Sequence, residues 1–359
     1  MNVIGINART FSVDNPGGAI QVGLKLTKTI RSASSSEVKL YGSPSLQNKF
    51  PNSRIHSQFY SSESQLYGIF WERAVLPFYN HNDIDVLLCP NGNGPPFELD
   101  VPVILYIHDV NAMLGYSSTL YEYYRKATVP VAARAADAIV TVSKFSKSEI
   151  TDVLGIPDEK VHVVHNGLDP QYIHDRDGHQ IDVPENYVLY IGQLNPRKNI
   201  QALINGFKKF NKKSGMDYKL VLVGPKNRTI FKNFKLESAP DVVHLGYVSD
   251  EELKYIYDQS NVFLFPSLHE GFGLPPLEAM ACDTPVVASR AGALPEVLED
   301  YPIYVDPHSE EDISRGLSSA LLENEYSATR REEARRHARS FTWVSSVADL
   351  EEVVDEVTT

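Results

Sequence analysis

The chain has 359 residues, 42% of them hydrophobic and 22% charged, which suits two domains of ordinary size and excludes a disordered or fibrous chain. Its formal charge of −12 argues against non-specific nucleic-acid binding, which draws on phosphate neutralisation. Two cysteines, Cys89 and Cys282, are too few for a disulfide framework and point to a reducing compartment. The start, Met1 to Arg9, lacks the pattern of a signal peptide, and no apolar run approaches a membrane span, so a soluble cytoplasmic chain is expected.

Short β-branched runs alternate with amphipathic stretches, the pattern of parallel sheets with crossover helices. In chain order the expected strands are Val3–Ala8, Val38–Tyr41, Val86–Cys89, Val103–Ile107, Ala138–Val142 and Val161–His165, with helices at Ala19–Ser32 and Ser146–Leu154. A polar stretch from Asp169 to Glu185 reads as a linker. The rhythm then resumes with strands at Tyr187–Ile191, Lys219–Val223, Val242–Leu245, Val262–Phe265, Pro285–Ser289 and Ile303–Val305. Helices fit Ile200–Lys212, Asp250–Gln259, Pro276–Ala281 and Glu310–Leu322, and one or two more close the chain. The expected division is 1–170, 171–340 and a terminal helix at 341–359.

Charge is uneven. Between Arg197 and Lys235 lie eleven basic residues and one acid, Asp217, which suits a small anionic ligand better than a long polyanion. Lys208, Lys209, Lys212 and Lys213 read as a solvated helix face. Arg197 and Lys198 stand between a strand and a helix, in a turn with Pro196, and suit a diphosphate: one guanidinium fork and one ammonium point charge.

Parallel sheets bind ligands at the carboxyl ends of their strands, and polar residues and glycines recur at those ends here. The densest stretch is Phe265 to Met280. Gly271 and Gly273 let backbone N–H groups approach a ligand, and Pro275 or Pro276 opens a helix whose N-terminus is a ready anion site. Glu270 and Glu278 flank that turn; a carboxylate only accepts hydrogen bonds and so suits hydroxyl pairs. Taken alone, Glu278 reads as dipole complementarity. Together these residues describe a nucleotide-sugar site. His269-Glu270 is not a zinc motif, since Gly273 stands where the second His would be. The acid pair Asp83/Asp85 precedes a strand, at the wrong end of the sheet, and Asp175/Asp177 lies in the linker; the Asn227-Arg-Thr229 sequon is irrelevant to a cytosolic chain, and Cys282 reads as packing.

Read in order, Gly17-Gly18, His108-Asp109, Ser143, Asn166-Gly167, Gly192 with Arg197-Lys198, Gly224, Leu245-Gly246 and Glu270-x7-Glu278 resemble a GT-B-fold glycosyltransferase of family 4, the retaining, metal-independent type. The resemblance implies two Rossmann-like doubly wound α/β domains facing a central cleft. The first would bind the acceptor and the second the nucleotide sugar, with the last helix crossing back to the first. It implies that Arg197 and Lys198 hold the diphosphate, Glu278 the ribose, and Glu270 the transferred sugar, near the amides of Gly271, Phe272, Gly273 and Leu274. Tyr247 and Val248 would lie near the base, Gly17 and Gly18 near the diphosphate, and His108 against the reacting sugar. Asn166, Gly192 and Gly224 complete the donor set. Asp283 stands where the family commonly has Gly, and a local turn change is expected there.

The phrases around His108, Arg197 and Glu270 are similar to mannosyl- and rhamnosyltransferases that build surface polysaccharide. No cofactor is implied beyond the donor, a nucleotide diphosphate sugar with GDP-mannose favoured over UDP-hexose. A saccharide or lipid-linked saccharide acceptor is expected, the latter bringing the chain to the inner membrane face. The tyrosine-rich stretches Tyr60–Tyr67 and Tyr116–Tyr124 suit either stacking on sugars or packing. Two alternatives stay open: a nucleotide-sugar epimerase of the same fold and a non-catalytic nucleotide-sugar-binding subunit.

Overall fold

The computed structural model describes residues 2–13, 17–58, 60, 64–79, 81–115, 120–174, 178–225, 239–323 and 326–359. Asp175 and Asp177, the Asn227 sequon, the basic residues from Lys226 to Lys235, residues 116–119 of one tyrosine-rich stretch and residues 61–63 of the other lie outside them. The chain divides into two compact units, Met1–Gly167 with Trp343–Thr359, and Leu168–Thr342.

The first unit is a parallel sheet of β1 (Val3–Asn7), β2 (Glu37–Tyr41), β3 (Arg54–His56), β4 (Val86–Cys89), β5 (Val103–Tyr106), β6 (Ala138–Thr141) and β7 (Val161–Val163), ordered β3-β2-β1-β4-β5-β6-β7. Every residue of β4, β5 and β6 is buried, as befits strands covered on both faces, and this is why they read as unbroken apolar runs. β3 escaped the sequence reading because Arg54 and His56 flank a single Ile55. The helix Leu120–Ala135 escaped it because Pro130 sits inside it.

The last helix, Trp343–Thr358, packs on the helix Gly18–Ala33 and so returns the chain to this unit, as expected. Trp343, Val347, Leu350 and Val354 are buried along it. Asn2 Nδ2 donates to Asp355 Oδ1 at 2.8 Å, and Ser346 Oγ donates to the His165 carbonyl at 2.6 Å. No helix among the described residues is long and apolar enough to cross a membrane.

The second unit holds β8 (Tyr187–Ile191), β9 (Lys219–Val223), β10 (Val242–Gly246), β11 (Val262–Phe265), β12 (Val286–Ser289) and β13 (Ile303–Val305), all parallel, ordered β10-β9-β8-β11-β12-β13. Both units are thus Rossmann-like. On the helix Ile200–Ser214, Lys208, Lys209, Lys212 and Lys213 are all exposed. Lys209 pairs with Glu310 at 3.1 Å and Lys213 pairs with Glu311, both acids on the neighbouring helix Glu310–Leu321. All four are solvated, and Lys209 and Lys213 are paired across to the next helix. Asp283 corrects an expectation: it takes the left-handed backbone itself, at φ 64, so the turn keeps the geometry a glycine would adopt.

Candidate active site

Sheet order in the second unit reverses between β8 and β11, where loops leave neighbouring strand ends in opposite directions and open a crevice. Both segments singled out in the sequence leave from this point. After β8, Asn195 caps one 3-10 turn over Pro196–Lys198, its Oδ1 accepting from the Lys198 N–H at 3.2 Å. Asn199 then turns left-handed (φ 55) and donates Nδ2 to the carbonyls of Pro266 at 3.0 Å and Pro307 at 2.6 Å. The Leu268 N–H donates to the Arg197 carbonyl at 2.9 Å. The cationic turn is therefore bolted to the segment that follows β11.

That segment carries Glu270. Lys198 Nζ donates to Glu270 Oε1 at 2.5 Å and sits 4.7 Å from the centre of the Phe265 ring. Lys198 is 9% exposed and Glu270 7%, so each charge is largely withdrawn from water and needs the other. The family resemblance implies separate contacts for them, phosphate and sugar; the structure joins them as an ion pair. Arg197 is half-buried, with Nη1 a long 3.5 Å from the His269 carbonyl.

Two residues that hold this arrangement were not anticipated. Asn199 is one. Gly292 is the other: at φ 59, it passes so close behind Glu270 that a Cβ would lie 2.2 Å from the Glu270 carbonyl oxygen. The Ala293 N–H donates to that same oxygen at 2.9 Å. Their signal was present, since Gly292 to Glu296 reads Gly-Ala-Leu-Pro-Glu just past β12, at the same end of the sheet.

Glu278 lies on the helix Leu274–Ala281, which opens after Gly273 with proline in its first turn. Tyr257 Oη donates to Glu278 Oε2 at 2.9 Å. Burial, and then the Glu278 charge, hold the Tyr257 hydroxyl well above its ordinary range, so it stays a donor. Gly271 and Phe272 are buried, the Phe272 ring meeting Phe341 edge-on at 6.0 Å. Gly224 (φ 129) abuts Gly192: a Cβ on Gly224 would fall 2.4 Å from the Gly192 carbonyl oxygen. Tyr247 is 74% exposed beyond β10, with Val248 half-buried after it.

In the first unit, His108 follows β5. Its Nε2 lies 2.9 Å from the Pro90 carbonyl and its ring stacks on Tyr106 at 4.7 Å. Burial pushes its pKa down to about 4, so the ring is neutral, with the proton assigned to Nε2 by its carbonyl partner and the lone pair on Nδ1. Gly17 caps the helix Gly18–Ala33, and a Cβ on Gly17 or Gly18 would meet nothing within 4 Å. Asn166 is buried, its Oδ1 without a hydrogen-bond partner among the described residues. Unforeseen at the end of β1 is a buried triad: Asn7 Nδ2 donates to Glu72 Oε1 at 2.6 Å and Arg9 Nε to Glu72 Oε2 at 2.9 Å. Nothing local to Glu72 in the sequence marks it; the fold brings it there.

Burial likewise lowers the pKa of His56 and His81. Between about pH 6.5 and pH 4 the unfolded chain therefore binds a proton at His108 that the folded chain refuses, and His56 and His81 act in the same direction below about pH 6.5. Stability is intact above that window and falls as pH falls through it, by about 1.4 kcal/mol per pH unit for each ring titrating only in the unfolded state. Melting temperatures from pH 7.5 to 4.5 should decline, and His108→Gln should flatten the decline; an unchanged slope would contradict the assignment.

The family model described as Glycosyl transferases group 1 matches residues 172–337, and that described as Glycosyltransferase Family 4 matches residues 32–172. O-antigen chain mannosyltransferase B of Escherichia coli is 31% identical over 283 residues, 76% of this chain and 67% of that protein. The serotype-specific mannosyltransferase WbdA of Escherichia coli is 28% identical over 256 residues, 67% of this chain but 30% of that longer protein. Among solved structures, sucrose-phosphate synthase from Thermosynechococcus elongatus has a TM-score of 0.74 at 17% identity, over 99% of each chain. Anabaena Alr3699/HepE, in complex with UDP and glucose, has a TM-score of 0.70 at 19% identity, over 99% of this chain and 100% of that one. At these identities the two structures speak for the fold.

Proposed function

The chain belongs to the GT-B glycosyltransferases of family 4, and from that premise we propose that it moves a hexose from a nucleotide diphosphate sugar to a hydroxyl of a saccharide or lipid-linked saccharide acceptor, with retention of anomeric configuration. Mannose is the favoured hexose and GDP-mannose the favoured donor, in the making of a polysaccharide. The observation that carries the reading is the Lys198–Glu270 pair, built from two strand ends at the switch point beside a glycine turn and a helix N-terminus. The O-antigen mannosyltransferase similarity supports the sugar, and the UDP and glucose held by HepE support a nucleotide-sugar donor.

In this reading Arg197 and Lys198 take the diphosphate and Glu278 the ribose hydroxyls, while Glu270 orients the hexose. The bond from C1 to the phosphate oxygen breaks, and C1 bonds to the acceptor oxygen on the same face. The acceptor proton passes to the departing phosphate. Negative charge grows on that phosphate, and fixed cations with oriented N–H groups stabilise it without reorganising. Neutral His108, with its Nε2 proton held by Pro90, would accept a hydrogen bond from a sugar hydroxyl at Nδ1.

The test follows the anomeric proton by NMR with GDP- and UDP-hexoses and a saccharide acceptor. An α-linked product from an α-linked donor is expected, unchanged by EDTA. A β-linked product, or activity lost to EDTA and restored by Mn²⁺, would overturn the reading, and an epimerised donor without acceptor would favour the epimerase. Gly17→Ala offers a second check. Because a Cβ there would meet nothing within 4 Å among the described residues, the melting temperature should move by about 1 °C or less, while kcat/KM falls about tenfold. Full activity would remove Gly17 from the donor site.

A further inference from the structure

The first unit has a cavity of about 600 Å³ at the amino ends of β4 and β5, the end of the sheet opposite His108. That volume is within the range of small-ligand sites. Ile84 and Val101 are buried in its wall. Phe97 lines its mouth at 43% exposure, and Phe78, 74% exposed, packs against Phe97 with ring centres 5.8 Å apart. The two rings form an exposed aromatic surface beside the cavity, apolar on its faces. Glu98 and Asp100 are also in the lining and exposed, and among the described residues neither has a hydrogen-bond or ion-pair partner.

The chemistry of this lining selects its ligand. Among the described residues it contains no Lys or Arg, so it does not suit a phosphate or an anionic lipid headgroup. Among the described residues no three His, Cys, Asp or Glu side chains are grouped as a metal ion would need. Carboxylates accept hydrogen bonds only, and so call for a donor-rich ligand. Aromatic faces call for an apolar one. A pyranose offers both, C–H groups on its face and hydroxyls around its rim.

We propose that this cavity is a second saccharide site, which holds a hexose unit of the acceptor chain away from the site of transfer. It rests on the reading that the acceptor is a saccharide, and it makes long acceptors bind better than short ones.

The test uses the full chain without donor and titrates linear tetrasaccharides of mannose, glucose and N-acetylglucosamine to about 20 mM, a range that covers weak carbohydrate affinities. Phe78→Ala/Phe97→Ala and, independently, Glu98→Gln/Asp100→Asn should bind a tetrasaccharide about fivefold more weakly than the unaltered chain, the size expected for losing one aromatic or hydrogen-bonding contact. Transfer to a methyl monosaccharide should stay unchanged in both variants. The second pair alters only exposed side chains, so it decides the matter if the first fails to fold. No tetrasaccharide binding, equal binding by the variants, or a lysine-rich peptide binding in place of the saccharide would overturn the proposal. If the unaltered chain transfers no sugar from any donor, the functional reading fails while the binding measurement still decides this site.

Discussion

Lys198→Ala should lower kcat/KM for glycosyl transfer by about 10³-fold, the scale seen when a preorganised group that meets developing charge is removed. The same substitution should destabilise the chain by about 1–3 kcal/mol, because it strands the Glu270 carboxylate with little access to water; the figure is below that of a fully buried pair since both residues retain some exposure. Glu270→Gln should cost a similar amount of activity for the complementary reason, leaving the Lys198 ammonium without its counter-charge. The double variant Lys198→Met/Glu270→Gln separates the two effects. Removing both charges should restore most of the melting temperature, since no uncompensated ion remains, yet turnover should stay as low as in either single variant. Chemical denaturation and initial rates on the same preparations read both quantities. Activity within tenfold of the unaltered chain in Lys198→Ala would place the pair outside the chemistry.

The pairing also bears on how the free enzyme waits for its donor. A buried ammonium and carboxylate in contact satisfy one another, so neither cation nor carboxylate is presented bare to solvent. A diphosphate arriving at Lys198 would share its ammonium with Glu270 and add negative charge beside it. Arg197, half-buried and beside the His269 carbonyl, is the second cation available to offset that charge. On the proposed reading the labour would divide between adjacent residues of one turn, Lys198 being held by its pair with Glu270 and Arg197 being the less buried of the two.

Much of this was legible in the sequence. Unbroken runs such as Val86–Cys89 and Val262–Phe265 are continuous because both faces of a parallel strand are covered, and apolarity along a run is a local property. The glycine turn from Gly271 to Gly273 and the prolines at the head of the next helix were readable for the same reason, as backbone requirements that act where they stand. Three features were not. β3 is too short and too polar to show a period, and it exists because β2 offers an edge to pair with. Glu72 looks like any acid on a helix until Asn7 and Arg9 are brought to it from the end of β1. The meeting of Lys198 with Glu270 depends on β8 and β11 being neighbours, which is a matter of strand order and cannot be read from either segment.

Gly292→Ala tests the support behind that pair. The substitution puts a Cβ 2.2 Å from the Glu270 carbonyl oxygen and 2.8 Å from its nitrogen, both backbone atoms that cannot swing aside as a side-chain end can. It also asks alanine to hold φ at 59°, which costs about 1–2 kcal/mol before any overlap is counted. Relief requires the Glu270 backbone or the 291–293 turn to shift, and the Ala293 N–H bond to the Glu270 carbonyl at 2.9 Å would stretch or break in either case. A shift of about 1 Å in a catalytic group can cost about 10²-fold in rate, so kcat should fall by roughly that factor, with a loss of stability of about 2–4 kcal/mol. The comparison that isolates the mechanism is Gly155→Ala, another left-handed glycine (φ 64) with nothing within 4 Å of an added Cβ, in the other unit. It should cost about 1–2 kcal/mol of stability with kcat unchanged. If Gly292→Ala lowered stability alone, in the manner of Gly155→Ala, then Glu270 does not depend on its neighbour for its position, and the carboxylate would have to be held in place by Lys198.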